Sequence, residues 1–157
     1  MTLRMKFLMT NIKMKSYRPF ITNNFFWDFP TRFNLKEVSQ FLDEDIDPTT
    51  EYISNTAKVI MRNDGIYWFL KDKKTKQIVS LISLSDLNLE NNSAALMITF
   101  KDLSDNEKQE ISERLLIFLR DQISLKTIEI NNLDHIVQEN FTNNGYNVAN
   151  NNLLKRS

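Results

Sequence analysis

The residues with the most chemical consequence stand together in Lys101-Asp102-Leu103-Ser104-Asp105-Asn106-Glu107-Lys108, where a short apolar run gives way to a long amphipathic one. A helix start offers unpaired N–H groups and the positive end of the backbone dipole, so a strand–helix junction can hold a phosphate. Here the side chains point two ways. Ser104, followed three residues later by Glu107, forms a capping box that satisfies the helix start from within the chain. Asp102, Asp105 and Glu107 repel an anion, and no glycine turns successive N–H groups into a nest. Lys101 and Lys108 oppose that repulsion. The stretch is either a helix that caps itself or a remodelled anion site.

Other side chains allow chemistry with less support from their spacing. His135, the only histidine, is a general base if it faces a cleft and an exposed helix-start residue if it does not. Phe25, Phe26, Trp27 and Phe29 can shape a groove or fill a core, whereas Tyr67, Trp68 and Phe69 on one strand read as core. Asp43, Glu44, Asp45 and Asp47 suit a cationic acceptor, and equally a solvated loop. There is no cysteine, which excludes thiolate chemistry and disulfides, and no zinc or Walker pattern, so no metal is expected.

These residues need elements to position them. Residues 11–20 read as a first strand ended by Pro19, and 23–33 as an aromatic connection. Leu35, Val38, Phe41 and Leu42 place a helix over 34–45 with Asn34 as its cap. A second helix runs over 47–65, with Pro48 near its start and Gly65 at its end. Strands follow at 66–71, 77–87 and 94–100, joined by polar turns. A helix at 105–122, a strand at 126–131, a helix at 133–144 closing at Gly145 and two short strands complete the order β-α-α-β-β-β-α-β-α-β-β. The strand–helix–strand unit at 94–131 should join parallel strands by a right-handed crossover. The fold class is therefore α/β (α+β), a mixed, mostly antiparallel sheet flanked by helices, with residues 1–157 as one domain.

Composition bounds the partners. Twenty basic and twenty acidic residues cancel, which argues against bulk nucleic-acid binding. The basic surplus of the first twenty residues (Arg4, Lys6, Lys13, Lys15 and Arg18) reads as a solvated arm or a local anionic contact. The longest apolar runs are too short to span a bilayer, and the first residues lack a signal-type apolar core. The expectation is a cytoplasmic protein without membrane contact, monomeric or homodimeric.

Three stretches carry a resemblance. Tyr17-Arg18-Pro19-Phe20 resembles an L-R-P-F opening strand. Residues 72–100 resemble a hairpin and central strand of the form D-x-x-T-x-x-x-I-G-x-I-x-L followed by N-x-x-A-E-L-G. Residues 141–146 resemble a closing Y-E-K-x-G-F. Together they resemble the GNAT superfamily of acyl-CoA-dependent N-acetyltransferases, and within it the branch that acetylates ribosomal-protein N-termini. The resemblance implies a sheet split between the strands at 94–100 and 126–131. It implies acetyl-CoA held by Met97, Ile98, Thr99, Lys101, Ser104, Lys108, Asn131 and Asn132. It places the acceptor, a small amine or a protein N-terminus, near Trp27, Phe29 and Tyr67. It also puts the family's general base on Ala95 and its acid tyrosine on Phe141, neither of which can transfer a proton, while the asparagine that often begins the last helix falls on Asp134. Two functions follow: an N-acetyltransferase that relies on positioning, or a GNAT-like module that binds or regulates without catalysis.

Overall fold

The structure, a computed structural model, describes residues 12–157. The sheet has eight strands in the order β1-β2-β3-β4-β5-β6-β8-β7: Phe20–Ile21, Phe25–Asp28, Ile66–Asp72, Ile78–Asn88, Ser93–Phe100, Thr127–Ile130, Leu153–Lys155 and Asn147–Asn150. All neighbours are antiparallel except β5 and β6, which run parallel through the crossover helix between them. Four α-helices accompany them: α1 (Leu35–Leu42), α2 (Ile46–Met61), α3 (Asp105–Leu116) and α4 (His135–Thr142). This is the expected mixed, mostly antiparallel sheet flanked by helices.

The entry into the sheet differs from the expectation. Within 12–20 only Phe20 joins a strand; Met14–Ser16 form a 3-10 turn. Residue 11, with Arg4 and Lys6, lies outside the described residues. The strand beside β3 is Phe25–Asp28, inside the stretch read as a connection. Alternation explains it: Phe25 and Trp27 are fully buried, while Phe26 packs on Phe33 across the other face. The α2 helix ends at Met61 rather than near Gly65, and Asn63 turns left-handed at φ 63°. Gly65 is needed for another reason. A Cβ there would sit 2.2 Å from the Leu84 carbonyl oxygen, so only glycine lets the chain pass under β4.

Two faces of the sheet are covered differently. On one, α3 and α4 bury Ile111, Leu115, Val137 and Phe141 over Trp68, Ile82 and Leu96. The α3 axis continues as a π-helical turn, Ile117–Gln122, whose extra residue lets Phe118 and Leu119 both reach the core. The Phe118 ring lies 5.1 Å from Trp68. On the other face, α1 sets Val38 and Phe41, and α2 sets Tyr52 and Ile53, against Phe69 and Ile78. Beyond β4 that second face opens: Met97 on β5 is 56% exposed.

Candidate functional site

The site begins with an unequal pairing. Ser93–Leu96 of β5 pair in register with Thr127–Ile130 of β6, and there β6 ends. Met97–Phe100 continue β5 but pair only with Ser83–Ser80 of β4. The Lys101 N–H donates to the Val79 carbonyl, so strand alternation turns the peptide groups of Ile98 toward the open side. A cleft of about 420 Å³ results, lined by Ala95, Leu96, Met97, Glu129, Ile130, Asn131 and Asn152. The sheet therefore splits where the resemblance implied.

Side-chain alternation decides what faces this cleft. Ala94 and Leu96 are buried with their partners Ile128 and Ile130 on the α3 side. Ala95 and its partner Glu129 must then share the opposite, open face. Glu129 is exposed, on a strand roughly 4.8 Å from that of Ala95. Met97 extends the same face and pairs with Ser83, which pairs with Tyr67, so Tyr67 lies in one row with the cleft strand. Tyr52 from α2 stands over Tyr67, ring centroids 6.3 Å apart. Burial, with a smaller contribution from Tyr67, pushes the Tyr52 phenol up to about 12.

The other groove residues lie elsewhere. Trp27 is fully buried, against Phe20 and Trp68, with no surface to offer an acceptor. Phe29 borders a separate cavity at the outer edge of the sheet. Phe141 is also fully buried, its ring 5.7 Å from that of Tyr146. His135 opens α4 as an exposed residue, and Asp134, not an asparagine, caps that helix by accepting from the Ile136 N–H at 2.8 Å.

The turn after β5 is closed on itself. Ser104 Oγ accepts from the Glu107 N–H at 3.2 Å, and Glu107 Oε1 accepts from the Ser104 N–H at 3.1 Å. Asp102 takes the left-handed conformation, φ 49°, that a glycine adopts without strain. Both lysines are engaged. Lys101 Nζ donates to the Phe41 carbonyl at 2.6 Å, at the C-terminal end of α1, and lies 4.3 Å from the Phe41 ring. Lys108 Nζ pairs with Asp134 at 2.9 Å. That hydrogen bond, and the charges of Asp134 and Asp105, hold the Lys108 ammonium above its usual range against desolvation. Burial pushes the Asp134 carboxyl up, but Lys108 and the Ile136 N–H outweigh it and hold the group below the usual carboxylate value. Asn131 reaches the cleft, while Asn132 is left-handed, φ 52°, in the exposed turn to α4.

The expected binding residues thus divide. Met97 and Asn131 line the cleft and the Ile98 peptide groups face its open side, whereas the Thr99 carbonyl is turned to β4 and accepts from Ser80 Oγ at 2.9 Å; Lys101, Ser104 and Lys108 surround the turn and bond within the protein. Glu129 lies at neither of the two positions that the sequence offered for a base, Ala95 on β5 and His135 at the start of α4. The signal was the alternation Thr127-Ile128-Glu129-Ile130, which sets a carboxylate opposite two core residues.

No family model matches the sequence, and no curated protein matches it. Solved structures match its fold. Ribosomal-protein-S5-alanine acetyltransferase from Vibrio fischeri aligns with a TM-score of 0.65 at 8% identity, covering 85% of each chain. The Campylobacter jejuni N-acetyltransferase PseH aligns at 0.64 and 10% identity, covering 85% of this chain and 99% of its own. RimL, the ribosomal L7/L12 α-N-protein acetyltransferase, aligns at 0.64 and 6% identity over 86% and 84%. The described chain has the fold of the GNAT acetyltransferases. Among the described residues no helix is long and apolar enough to cross a membrane.

Proposed function

We propose that this protein is a cytoplasmic acetyl-CoA-dependent N-acetyltransferase acting on a primary amine, either a small amine or a protein N-terminus. The observation that supports it is the split between β5 and β6 with Glu129 on its wall, in register with Ala95. The carboxylate missing from β5 is present one strand away on the same face. The Ile98 peptide groups fit an extended amide-bearing arm, because they need no particular side chain. The turn fits a diphosphate poorly, since its cap is satisfied and its two lysines are held elsewhere.

Acetyl-CoA would supply the acyl group as a thioester. Tyr67, Ser83 and Met97 form the floor over which the amine approaches. Glu129 takes the proton that the amine loses on acylation, directly or through one water. Phe141 supplies no acid, so the proton for the departing thiolate comes from solvent or from the proton already held near Glu129. Catalysis rests on positioning more than on a dedicated acid–base pair.

The test is direct. Acetyl-CoA titrated by calorimetry should bind, and a panel of amines and N-terminal peptides should release free CoA thiol. No binding at millimolar acetyl-CoA would overturn this reading and leave a non-catalytic binding module.

A further inference from the structure

A second cavity lies away from the cleft. It has a volume of about 560 Å³ and is bordered by the end of β2, the 3-10 turn Pro30–Arg32, the last turns of α2 and the segment around Tyr17. Three strand steps separate β2 from β5, roughly 14 Å across the sheet. Its walls are mostly apolar: Tyr17 and Phe29 on one side, Ala57, Ile60 and Met61 on the other. Met61 is 68% exposed at its mouth.

One carboxylate stands among these apolar groups. Asp28 is 9% exposed. Its Oδ1 accepts from the Phe29 N–H at 2.8 Å, a local bond that fixes the side chain at the start of the 3-10 turn. Among the described residues its other oxygen has no hydrogen-bond partner, and Asp28 makes no ion pair. Asp28 lines the cavity. Burial pushes the carboxyl up, while the Phe29 N–H and the charge of Arg32 draw it back. A desolvated carboxylate with a free lone-pair edge is satisfied best by a cationic donor. At the rim, Lys15 and Arg32 are exposed and carry the opposite charge.

We infer that this cavity is a second ligand site, which takes a small zwitterion with an apolar side chain, an amino acid or a dipeptide. The ammonium donates to Asp28, the carboxylate meets Arg32 and Lys15, and the side chain packs on Ala57, Ile60 and Met61. Neither charge alone satisfies the arrangement, because an amine leaves the rim cations unpaired and an acid leaves Asp28 unpaired. The site does not depend on the acyl-transfer reading, since it shares no residue with the cleft.

The experiment is calorimetric titration of the full chain, without acetyl-CoA, with leucine, leucyl-leucine, leucinamide and N-acetylleucine. Leucine or leucyl-leucine should bind, and whichever binds tighter identifies the free amino acid or the dipeptide as the natural class. Leucinamide and N-acetylleucine should each bind at least about tenfold more weakly. Asp28→Asn should remove the preference for a free ammonium. Arg32→Ala, at an exposed position, should keep the fold and remove the preference of leucine over leucinamide. Absence of binding by both zwitterions, equal binding of N-acetylleucine, or unchanged selectivity in Arg32→Ala would each overturn the proposal.

Discussion

The strand half and the turn half of the candidate site are only a few residues apart, yet they obey different physical rules. At Met97–Phe100 what matters is a backbone edge left without a partner, and that edge exists because β6 stops at Ile130. Almost any strand-forming sequence supplies it. At Lys101–Lys108 what matters is the identity of each side chain. A phosphate cradle needs N–H groups free and turned together. Here Ser104 and Glu107 occupy two of them reciprocally, and Asp102 stands in a glycine conformation with a carboxylate attached. Backbone-coded function survives sequence drift, while side-chain-coded function is lost or moves. Under the proposed function Glu129 would be the second outcome, a carboxylate supplied by whichever residue of the neighbouring strand shares the face.

Glu129 separates the strand half from the turn half most sharply. Glu129→Gln keeps the size and the hydrogen bonding of the side chain and removes its proton affinity. Turnover should fall by roughly 10²–10⁴-fold with acetyl-CoA affinity unchanged, measured by steady-state kinetics beside calorimetry. An unchanged rate would mean that the strand half contributes geometry alone.

The turn half can be sharpened by repair. Asp102→Gly removes one negative charge and places glycine where φ is already positive. Acetyl-CoA should bind about tenfold more tightly, read as Kd, and an equal or weaker affinity would show that the turn does not approach the diphosphate. Ser104→Ala removes half of the capping box, and the melting temperature should fall by the equivalent of about 1 kcal/mol. A stability unchanged within error would show that the cap is not what closes the turn.

The smallest effect concerns Lys108 and Asp134, which tie the starts of α3 and α4 together. The folded Asp134 carboxyl is held low, so its contribution is present above the ordinary aspartate value and is lost as pH falls through the lowered one. The folded Lys108 ammonium is held high, so its contribution is present below the ordinary lysine value and fades as pH rises through the raised one. The difference in melting temperature between wild type and Lys108→Met should therefore be greatest near neutrality and shrink toward both extremes. A difference that is flat with pH would contradict the pairing.

Most of the fold was legible because its signals are local. Asn34 caps α1 with Glu37 as its box partner, the hairpin at 72–76 follows its turn residues, and Gly145 ends α4 with φ 110°. The entry strand was missed because Phe25-Phe26-Trp27-Asp28 alternates over only four residues, next to a proline, and its pairing with β3 is long-range. The open edge of β5 was legible, because the family pattern could be laid along one strand. Glu129 was hidden because register between β5 and β6 is a tertiary fact, set by the crossover over residues 101–126 rather than by spacing. The lysines looked available for an anion in the sequence because nothing local announces Phe41 or Asp134 as their partners.

The most direct test of a working strand half beside a closed turn half compares two donors. Calorimetry with acetyl-CoA and with S-acetylpantetheine, which lacks the nucleotide and its diphosphate, separates the two halves in one protein. Both should bind, with Kd values within about tenfold of each other. Acetyl-CoA binding more than roughly a hundredfold tighter, or acetylpantetheine not binding at all, would contradict this by showing that the turn holds the phosphates after all.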